Sequence, residues 1–259
     1  MSHPQPTVIS GVCYFASDFH LGAPNPIESN IREILIIKWL DQIKKDANHL
    51  FLLGDIFDFW FEYNGKPPTI FAKFLEKIAE LRKKGIEIYF FTGNHDMWVK
   101  KYLTNNLGIH IYRKKQLFVI NGKNFLLAHG DAMGKGDWGS KCLKLFLNCN
   151  ITRWLFGLIP QKTGFALANF VSRKSRAMTP EHKERFLGKE KEVLVQFCYS
   201  YLAKHNTDFF IFGHRHLPLE IPIYNAVYYN TGDWLSSCTF IRYEKNPELR
   251  HFTFNINKL

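Results

Sequence analysis

The chain has 259 residues, 46% hydrophobic and 22% charged, with 17 glycines and 11 prolines scattered along it; these proportions exclude a disordered, collagen-like or low-complexity protein and fit one sizeable globular domain. Lys and Arg outnumber Asp and Glu by 34 to 23, a formal charge of +11. That charge attracts anionic partners without choosing among nucleic acid, an anionic membrane surface and a phosphorylated small molecule.

The N-terminal residues MSHPQPTVISGVCYF lack the charged, apolar and small-residue segments of a secretory leader. No stretch approaches the ~20 apolar residues needed to cross a bilayer, so any membrane association is expected to be peripheral. The five cysteines, Cys13, Cys142, Cys149, Cys198 and Cys238, are odd in number and share no CxxC spacing. This points to reduced, packed thiols in a cytosolic protein.

In chain order, apolar, β-branched and aromatic runs at 12–16, 50–53, 86–91, 125–128 and 209–212 read as buried strands, each followed by turn residues. Helical periodicity at 29–45 and 69–84 separates the first three, giving the β-α-β-α-β rhythm of a layered α/β domain. Residues 135–205 change character, with helix formers and basic residues in WGSKCLKLFLNCNITRWLFGLIP and SRKSRAMTPEHKERF; they read as a helical insertion or cap within a single domain of residues 1–259. Trp138, Leu143, Phe146, Leu147, Trp154, Leu155, Phe156, Leu158 and Ile159 give this insertion more apolar surface than one short helix hides. That surface either packs on the domain or forms a groove for a ligand or membrane edge. From 219 to 254, short alternating segments suggest antiparallel strands closing a second sheet.

Five signatures sit just after the predicted strands: SDFH with Asp18 and His20, GDIFD with Asp55 and Asp58, GNHD with Asn94, His95 and Asp96, HGD with His129, and GHRH with His214 and His216. Chain turns at strand ends let side chains from several strands converge on one crevice. A lone Gly-Asp pair is an ordinary turn and a lone histidine an ordinary hydrogen-bonded residue, but five together are not. Carboxylates, an amide oxygen and imidazoles, with no thiolate, form a ligand set suited to Mn, Fe, Co, Ni or Zn. Two metals are the natural count, since a carboxylate can bridge cations ~3.5–4 Å apart and the pair can drive an in-line displacement at phosphorus.

The series D-x-H, GD-x-x-D, GNHD, strand-end H-G and GH-x-H resembles the calcineurin-like metallophosphoesterase superfamily from about residue 11 to 243. The resemblance implies an α/β four-layer sandwich, two mixed β-sheets flanked by helices, with a dinuclear site at one edge. It further implies Asp18, His20 and His216 on one metal, Asn94, His129 and His214 on the other, and Asp55 bridging. His95 would stand beside the phosphate as general acid or transition-state stabiliser. Asp96 would orient His95, and Asp58 would support the site.

SDFHLG, GDIFDFWFEY, the HGD segment with its basic insertion, GHRHLP and TGDW are, in addition, similar to the UDP-2,3-diacylglucosamine pyrophosphatases of lipid A biosynthesis. That family hydrolyses its diphosphate by metal-assisted water attack on the α-phosphorus, giving UMP and 2,3-diacylglucosamine 1-phosphate, with Mn2+ as the usual metal. The best-known members carry GNRD where this chain has GNHD, which places it in a divergent branch or outside that family's substrate range; histidine, unlike arginine, can transfer a proton. An acylated sugar nucleotide needs cations and an apolar groove, and the insertion offers both: Arg173, Lys174, Arg176 and Lys183 beside its aromatic stretches. These readings make residues 135–185 a lid over the metals and the anionic inner-membrane face a partner; no obligate protein partner is inferred. A nuclease or phosphatase of the same superfamily is the alternative, a nuclease needing stacking aromatics along a phosphate-tracking groove. A scaffold with a decayed site is opposed by the complete ligand set.

Overall fold

The computed structural model describes residues 6–131, 133, 149–177 and 185–252, with the backbone alone for 173 and 175–177. Its elements in chain order are β1 (Thr7–Ile9), β2 (Cys13–Ala16), α1 (Pro26–Ile43), β3 (His49–Leu52), a 3-10 turn (Thr69–Phe71), α2 (Ala72–Lys83), β4 (Glu87–Phe91), α3 (Tyr102–Leu107), β5 (His110–Tyr112), β6 (Gln116–Ile120) and β7 (Lys123–Leu127). After these come α4 (Asn150–Gly157), α5 (Gln161–Ala177), α6 (Val193–Leu202), β8 (Phe209–Phe212), β9 (Pro218–Ile223), β10 (Ala226–Thr231), β11 (Thr239–Tyr243) and β12 (Pro247–His251). They form two mixed six-stranded sheets, ordered β12-β11-β2-β3-β4-β5 and β1-β6-β7-β8-β10-β9.

Strands β2, β3 and β4 run parallel and are apolar on both faces, as expected for strands covered on two sides. Alternation sorts their side chains. Tyr14, Ala16, Leu50, Leu52, Ile88 and Phe90 meet the helices, whereas Cys13, Phe15, Phe51, Leu53, Tyr89 and Phe91 meet Phe118, Ile120, Phe125, Leu127 and Ile211 of the other sheet. Ring stacking of Phe15 on Phe51 at 4.7 Å and of Phe51 on Tyr89 at 4.6 Å ties neighbouring strands across this inner face.

Helix α1 starts at Pro26, earlier than periodicity alone suggests, because Asn25 caps it: its Oδ1 accepts the amides of Ile27 and Glu28 at 3.1 and 3.0 Å, and proline suits the first helical position. It buries Ile36, Trp39, Leu40 and Ile43, and α2 buries Phe74, Leu75, Ile78 and Leu81 beside them. On the outer face of the second sheet, Leu194, Val195 and Cys198 of α6 pack on Phe210, Phe212 and Tyr228. The layers are helix, sheet, sheet, helix.

The C-terminal strands differ from the expectation of one closing sheet. β9 and β10 extend the sheet of β8, while β11 and β12 cross over to the free edge of β2. The connection between them is pinned by Trp234, whose ring lies 5.1 Å from Trp39 and 5.3 Å from Phe19. Cys13 and Cys198 are buried, Cys238 is half-buried, and Cys149 is exposed instead of packed. Cys142 lies outside the described residues, as do Trp138, Leu143, Phe146 and Leu147. Among the described residues no helix is long and apolar enough to cross a membrane.

Candidate metal centre

The parallel runs β2-β3-β4 in one sheet and β7-β8 in the other bring five strand ends to one edge of the sandwich. Asp18 and His20 follow β2, Asp55 follows β3, Asn94 and His95 follow β4, His129 follows β7, and His214 and His216 follow β8. The chain must turn sharply to aim these side chains inward. Asp18, His20, Asp55, His214 and His216 all have positive φ, from 44° to 67°, each at a cost of about 1–2 kcal/mol. Hydrogen bonds between the loops offset it: the amides of Asp18 and His20 donate to the carbonyls of Gly54 and Asp55 at 3.0 and 2.9 Å, and that of Gly213 donates to His129 at 2.8 Å. Asp18 Oδ2 accepts the His214 amide at 2.9 Å and the Ser17 hydroxyl, and Asp55 Oδ1 accepts the His95 amide at 2.9 Å.

The side-chain donors converge in three overlapping groups, Asp18-His20-His216, His20-Asp55-His95 and Asp55-His129-His214, each with its atoms within 4.8 Å of one another. Asp55 is shared by two of them. His216 Nε2 lies 3.1 Å from Asp18 Oδ1, His129 Nε2 lies 3.3 Å from Asp55 Oδ2, and the Nε2 atoms of His20 and His216 face each other at 3.3 Å. Their outer nitrogens are fixed. His129 Nδ1–H donates to the Leu53 carbonyl at 2.8 Å, His20 Nδ1 faces Asp58 at 3.3 Å, and His216 Nδ1 faces Asp233 at 3.5 Å. Such backing leaves each Nε2 turned toward the centre, the arrangement of metal-ligating imidazoles.

Whether divalent ions fit is tested by the buried atoms that make no hydrogen bond. Asp18 Oδ1, Asn94 Oδ1 and His129 Nε2 are three of them, and all belong to the expected ligand set. Buried polar atoms are normally satisfied, and a carboxylate oxygen, an amide oxygen and an imidazole nitrogen left open together suit cations that take O and N ligands. The charges agree. Burial pushes the Asp55 carboxyl up, but the imidazoles of His129, His95 and His20 outweigh it and hold it far below the usual carboxylate range. Burial likewise lowers His129 and His216, yet Asp55 beside the first and Asp18 beside the second raise each to about 10. Divalent cations would replace those protons as partners of the two carboxylates.

Asp96 does a different job from the expected one. Its Oδ1 accepts the Gly93 amide at 2.7 Å and its Oδ2 the amides of Ile56 and Phe57 at 2.8 and 3.4 Å, so it splices the loop after β3 to the loop after β4. Burial raises its carboxyl to about 7, with the Asp55 charge adding to the effect. The His95 ring is instead held by Asp58, whose carbonyl accepts Nδ1–H at 3.0 Å and whose Oδ1 lies 3.5 Å from the same nitrogen.

Two further residues that motif reading passes over belong to this edge. Asp233, in the TGDW segment, backs His216 while accepting the amides of Ser236 and Ser237 at 2.9 and 3.0 Å; an acidic residue just past a strand in an already noticed motif is the signal that could have found it. Ser172 of α5 is buried and donates to Asp58 Oδ1 at 3.1 Å, a contact no local pattern announces. Both insertion helices are seated here by rings, with Phe156 at 4.9–5.3 Å from Trp98, Phe61 and Phe59, and Phe165 at 5.2 Å from Phe59. Lys174 is exposed on α5, while the side chains of Arg173 and Arg176, and Lys183, lie outside the described residues.

Comparison with known proteins gives a match of residues 13–218 to the family described as calcineurin-like phosphoesterase. The chain is 34% identical over 235 residues to the UDP-2,3-diacylglucosamine hydrolase of Porphyromonas gingivalis, covering 86% of this chain and 90% of that one. It is 24% identical over 236 residues to the protein of the same name from Histophilus somni, covering 90% and 96%. It is 27% identical over 238 residues to that of Vibrio cholerae, covering 89% and 94%.

Proposed function

The chain belongs to the calcineurin-like phosphoesterase family, and from that premise we propose that it hydrolyses the diphosphate of UDP-2,3-diacylglucosamine to UMP and 2,3-diacylglucosamine 1-phosphate. The observation that carries this reading is the likeness, along nearly the whole of both chains, to the Porphyromonas gingivalis protein named for that substrate. Two divalent ions, Mn2+ by expectation, would be held by Asp18, His20 and His216 and by Asn94, His129 and His214 with Asp55 between them; when bound they supply Lewis-acid polarisation of the phosphoryl group and a nucleophile at neutral pH.

The chain's own residues supply the rest. His95, with Nδ1–H committed to the Asp58 carbonyl, presents Nε2 as the atom that gives or takes a proton beside the diphosphate. The amide of the same residue donates to Asp55 Oδ1, which ties the loop carrying the imidazole to the shared carboxylate. Asp58 and Asp233 keep His20 and His216 turned toward the centre. Lys174, with Arg173, Arg176 and Lys183, provides cations for the diphosphate and sugar end, and α4 and α5 stand beside the site as a lid, whereas α6, at the end of the expected 135–205 insertion, belongs to the helix layer on the second sheet. The protein works against the inner-membrane face, where its product, an acylated sugar phosphate, stays.

The test is Mn-dependent hydrolysis of UDP-2,3-diacylglucosamine in detergent with UMP release followed, and with UDP-N-acetylglucosamine and single-stranded DNA in parallel. Selective UMP release from the diacylated compound is the expected result. Cleavage of DNA or a small ester with no turnover of the diacylated compound would move the substrate elsewhere while leaving the metal chemistry in place.

A further inference from the structure

A cavity of about 650 Å3 opens between the start of α1, the turn before α2 and the middle of α5, with Gly22, Glu33, Phe71, Phe165, Ala166 and Asn169 on its walls. That volume falls within the roughly 300–1,000 Å3 of small-molecule sites. The cavity adjoins the metal centre. Gly22 follows His20 by two residues, and a Cβ placed on it would stand 3.6 Å from the Phe71 ring and 3.9 Å from Asp58 Cβ. Asn169 precedes Ser172 by three residues, which puts it on the side of α5 that meets Asp58. The rings of Phe59, Phe61, Trp98 and Phe156 form a separate cluster, to which none of these wall residues belongs.

The α1 wall is held in place. Arg32 is buried and donates to the carbonyls of His20, at 2.9 Å, and Ala23, while the Gly22 amide donates to the Ser29 hydroxyl at 2.7 Å. Glu33 Oε1 accepts the Phe74 amide at 3.1 Å, which orients the carboxylate and leaves Oε2 for a ligand hydroxyl. The wall chemistry selects the occupant. Among the described residues the lining has one carboxylate, Glu33, and no lysine or arginine, so it opposes a phosphate; an acyl chain would leave Glu33 and Asn169 without use. A nucleoside matches all of it. Its ribose hydroxyls can donate to a carboxylate, its base edge can pair with a carboxamide that both donates and accepts, and its flat faces suit the Phe71 and Phe165 rings.

We propose that this cavity is the nucleoside subsite, in which Glu33 accepts the ribose hydroxyls and Asn169 reads the base of the UMP half of the substrate. This deepens the reading above and rests on it for uridine as the nucleoside. Attack at the α-phosphorus leaves the uridine joined to the phosphate at the metal centre, so its pocket must border that centre, as this one does through Gly22 and Asp58. The acylated sugar leaves from the other end of the diphosphate and needs a different surface.

Titration calorimetry of the Mn-loaded protein tests it, with UMP, 2′,3′-dideoxy-UMP and methyl phosphate as probes, for the wild type, Asn169→Ala, Glu33→Gln and Ala166→Trp. The wild type should bind UMP about tenfold or more tighter than methyl phosphate, which carries the same phosphate and no nucleoside. Asn169→Ala should weaken UMP about 3–10-fold. Glu33→Gln keeps an acceptor for the Phe74 amide and should narrow the preference for UMP over its dideoxy analogue. Ala166→Trp fills the cavity from an exposed position on α5 and should bring UMP down to the level of methyl phosphate. Methyl phosphate should bind all four forms alike, which also reports that the variants fold. A wild type that binds UMP no better than methyl phosphate would overturn the proposal, as would variants that bind UMP as the wild type does, even where the diacylated substrate is hydrolysed. A UMP preference lost in the variants, with no hydrolysis of UDP-2,3-diacylglucosamine by the wild type, would uphold the nucleoside subsite and overturn the substrate reading alone.

Discussion

Gly54 offers a sharp test of how tightly the metal centre is built into the backbone. Its φ is +89°, and a Cβ placed on it would stand 2.6 Å from His129 Nδ1 and 2.8 Å from the Gly93 amide nitrogen. Gly85 has nearly the same φ, +86°, but a Cβ there meets nothing within 4 Å. Gly85→Ala therefore carries the backbone penalty alone, about 1–2 kcal/mol. Gly54→Ala adds overpacking of about 1–3 kcal/mol, for a sum of about 2–5 kcal/mol. At about 2–4 °C per kcal/mol, Tm should fall by about 2–8 °C in Gly85→Ala and about 4–20 °C in Gly54→Ala. The displaced nitrogen is the one that donates to the Leu53 carbonyl, so His129 must turn, and Mn affinity should fall about 10–100-fold in Gly54→Ala and stay unchanged in Gly85→Ala. Calorimetric melting and chelator competition for Mn read both effects. Equal stability and equal Mn affinity in the two variants would show that a Cβ at residue 54 is accommodated without displacing His129.

Ser172→Ala removes a donor to the buried Asp58 carboxylate; it should cost about 1–3 kcal/mol and speed proteolysis within α5, with Ser172→Thr restoring protection, whereas unchanged proteolysis would show that the contact does not hold the helix. Mn at a hundredfold excess over the Kd of each site should stabilise the fold by about 2.7 kcal/mol per bound ion, raising Tm by about 5–10 °C for each, with chelation reversing it; a Tm indifferent to Mn would count against buried divalent ions. Lys44 and Lys77 link α1 to α2 through Asp41 and Glu80. Burial is the largest single influence on Asp41 and raises it, but the hydrogen bonds and charges of the two lysines together outweigh it, and they lower Glu80 as well, so their stabilisation is present above the unfolded pKa of about 4 and fades as pH falls through the lower folded value. Asp41→Asn/Glu80→Gln should therefore melt slightly below the wild type at neutral pH, with the gap closing in acid; a gap that persists at low pH would contradict the sign.

The strands that carry the centre are legible because they are continuous apolar runs covered on both faces, and each ends in a turn bearing Asp or His. The edge strands are not. β1 and β5 have three residues each at sheet margins, too short and too exposed for any periodicity. β6 is as readable as β3 and β7, since residues 117–120 are a continuous apolar run, and Asn121 and Gly122 after it have φ of 49° and 78°, the two-residue turn that an Asn-Gly pair signals. The division of the last four strands between both sheets is invisible locally, because it depends on Trp234 finding Trp39 and Phe19 from distant parts of the chain. In the same way GNHD announces an acidic residue near the centre, but not that Asp96 would be taken up by three backbone amides while the carbonyl of Asp58 holds the His95 ring. Motifs identify the donors; which donor serves which neighbour is decided by loops that meet only in the folded protein.

In the proposed centre, the side chains at these five strand ends hold a pair of divalent ions with Asp55 between them. Diffraction from crystals of the Mn-loaded protein, with anomalous differences collected at the Mn absorption edge, tests it directly. Two peaks are expected, one within Asp18, His20 and His216 and one within Asn94, His129 and His214, with Asp55 reaching both. A single peak, or Mn bound away from these residues, would contradict it.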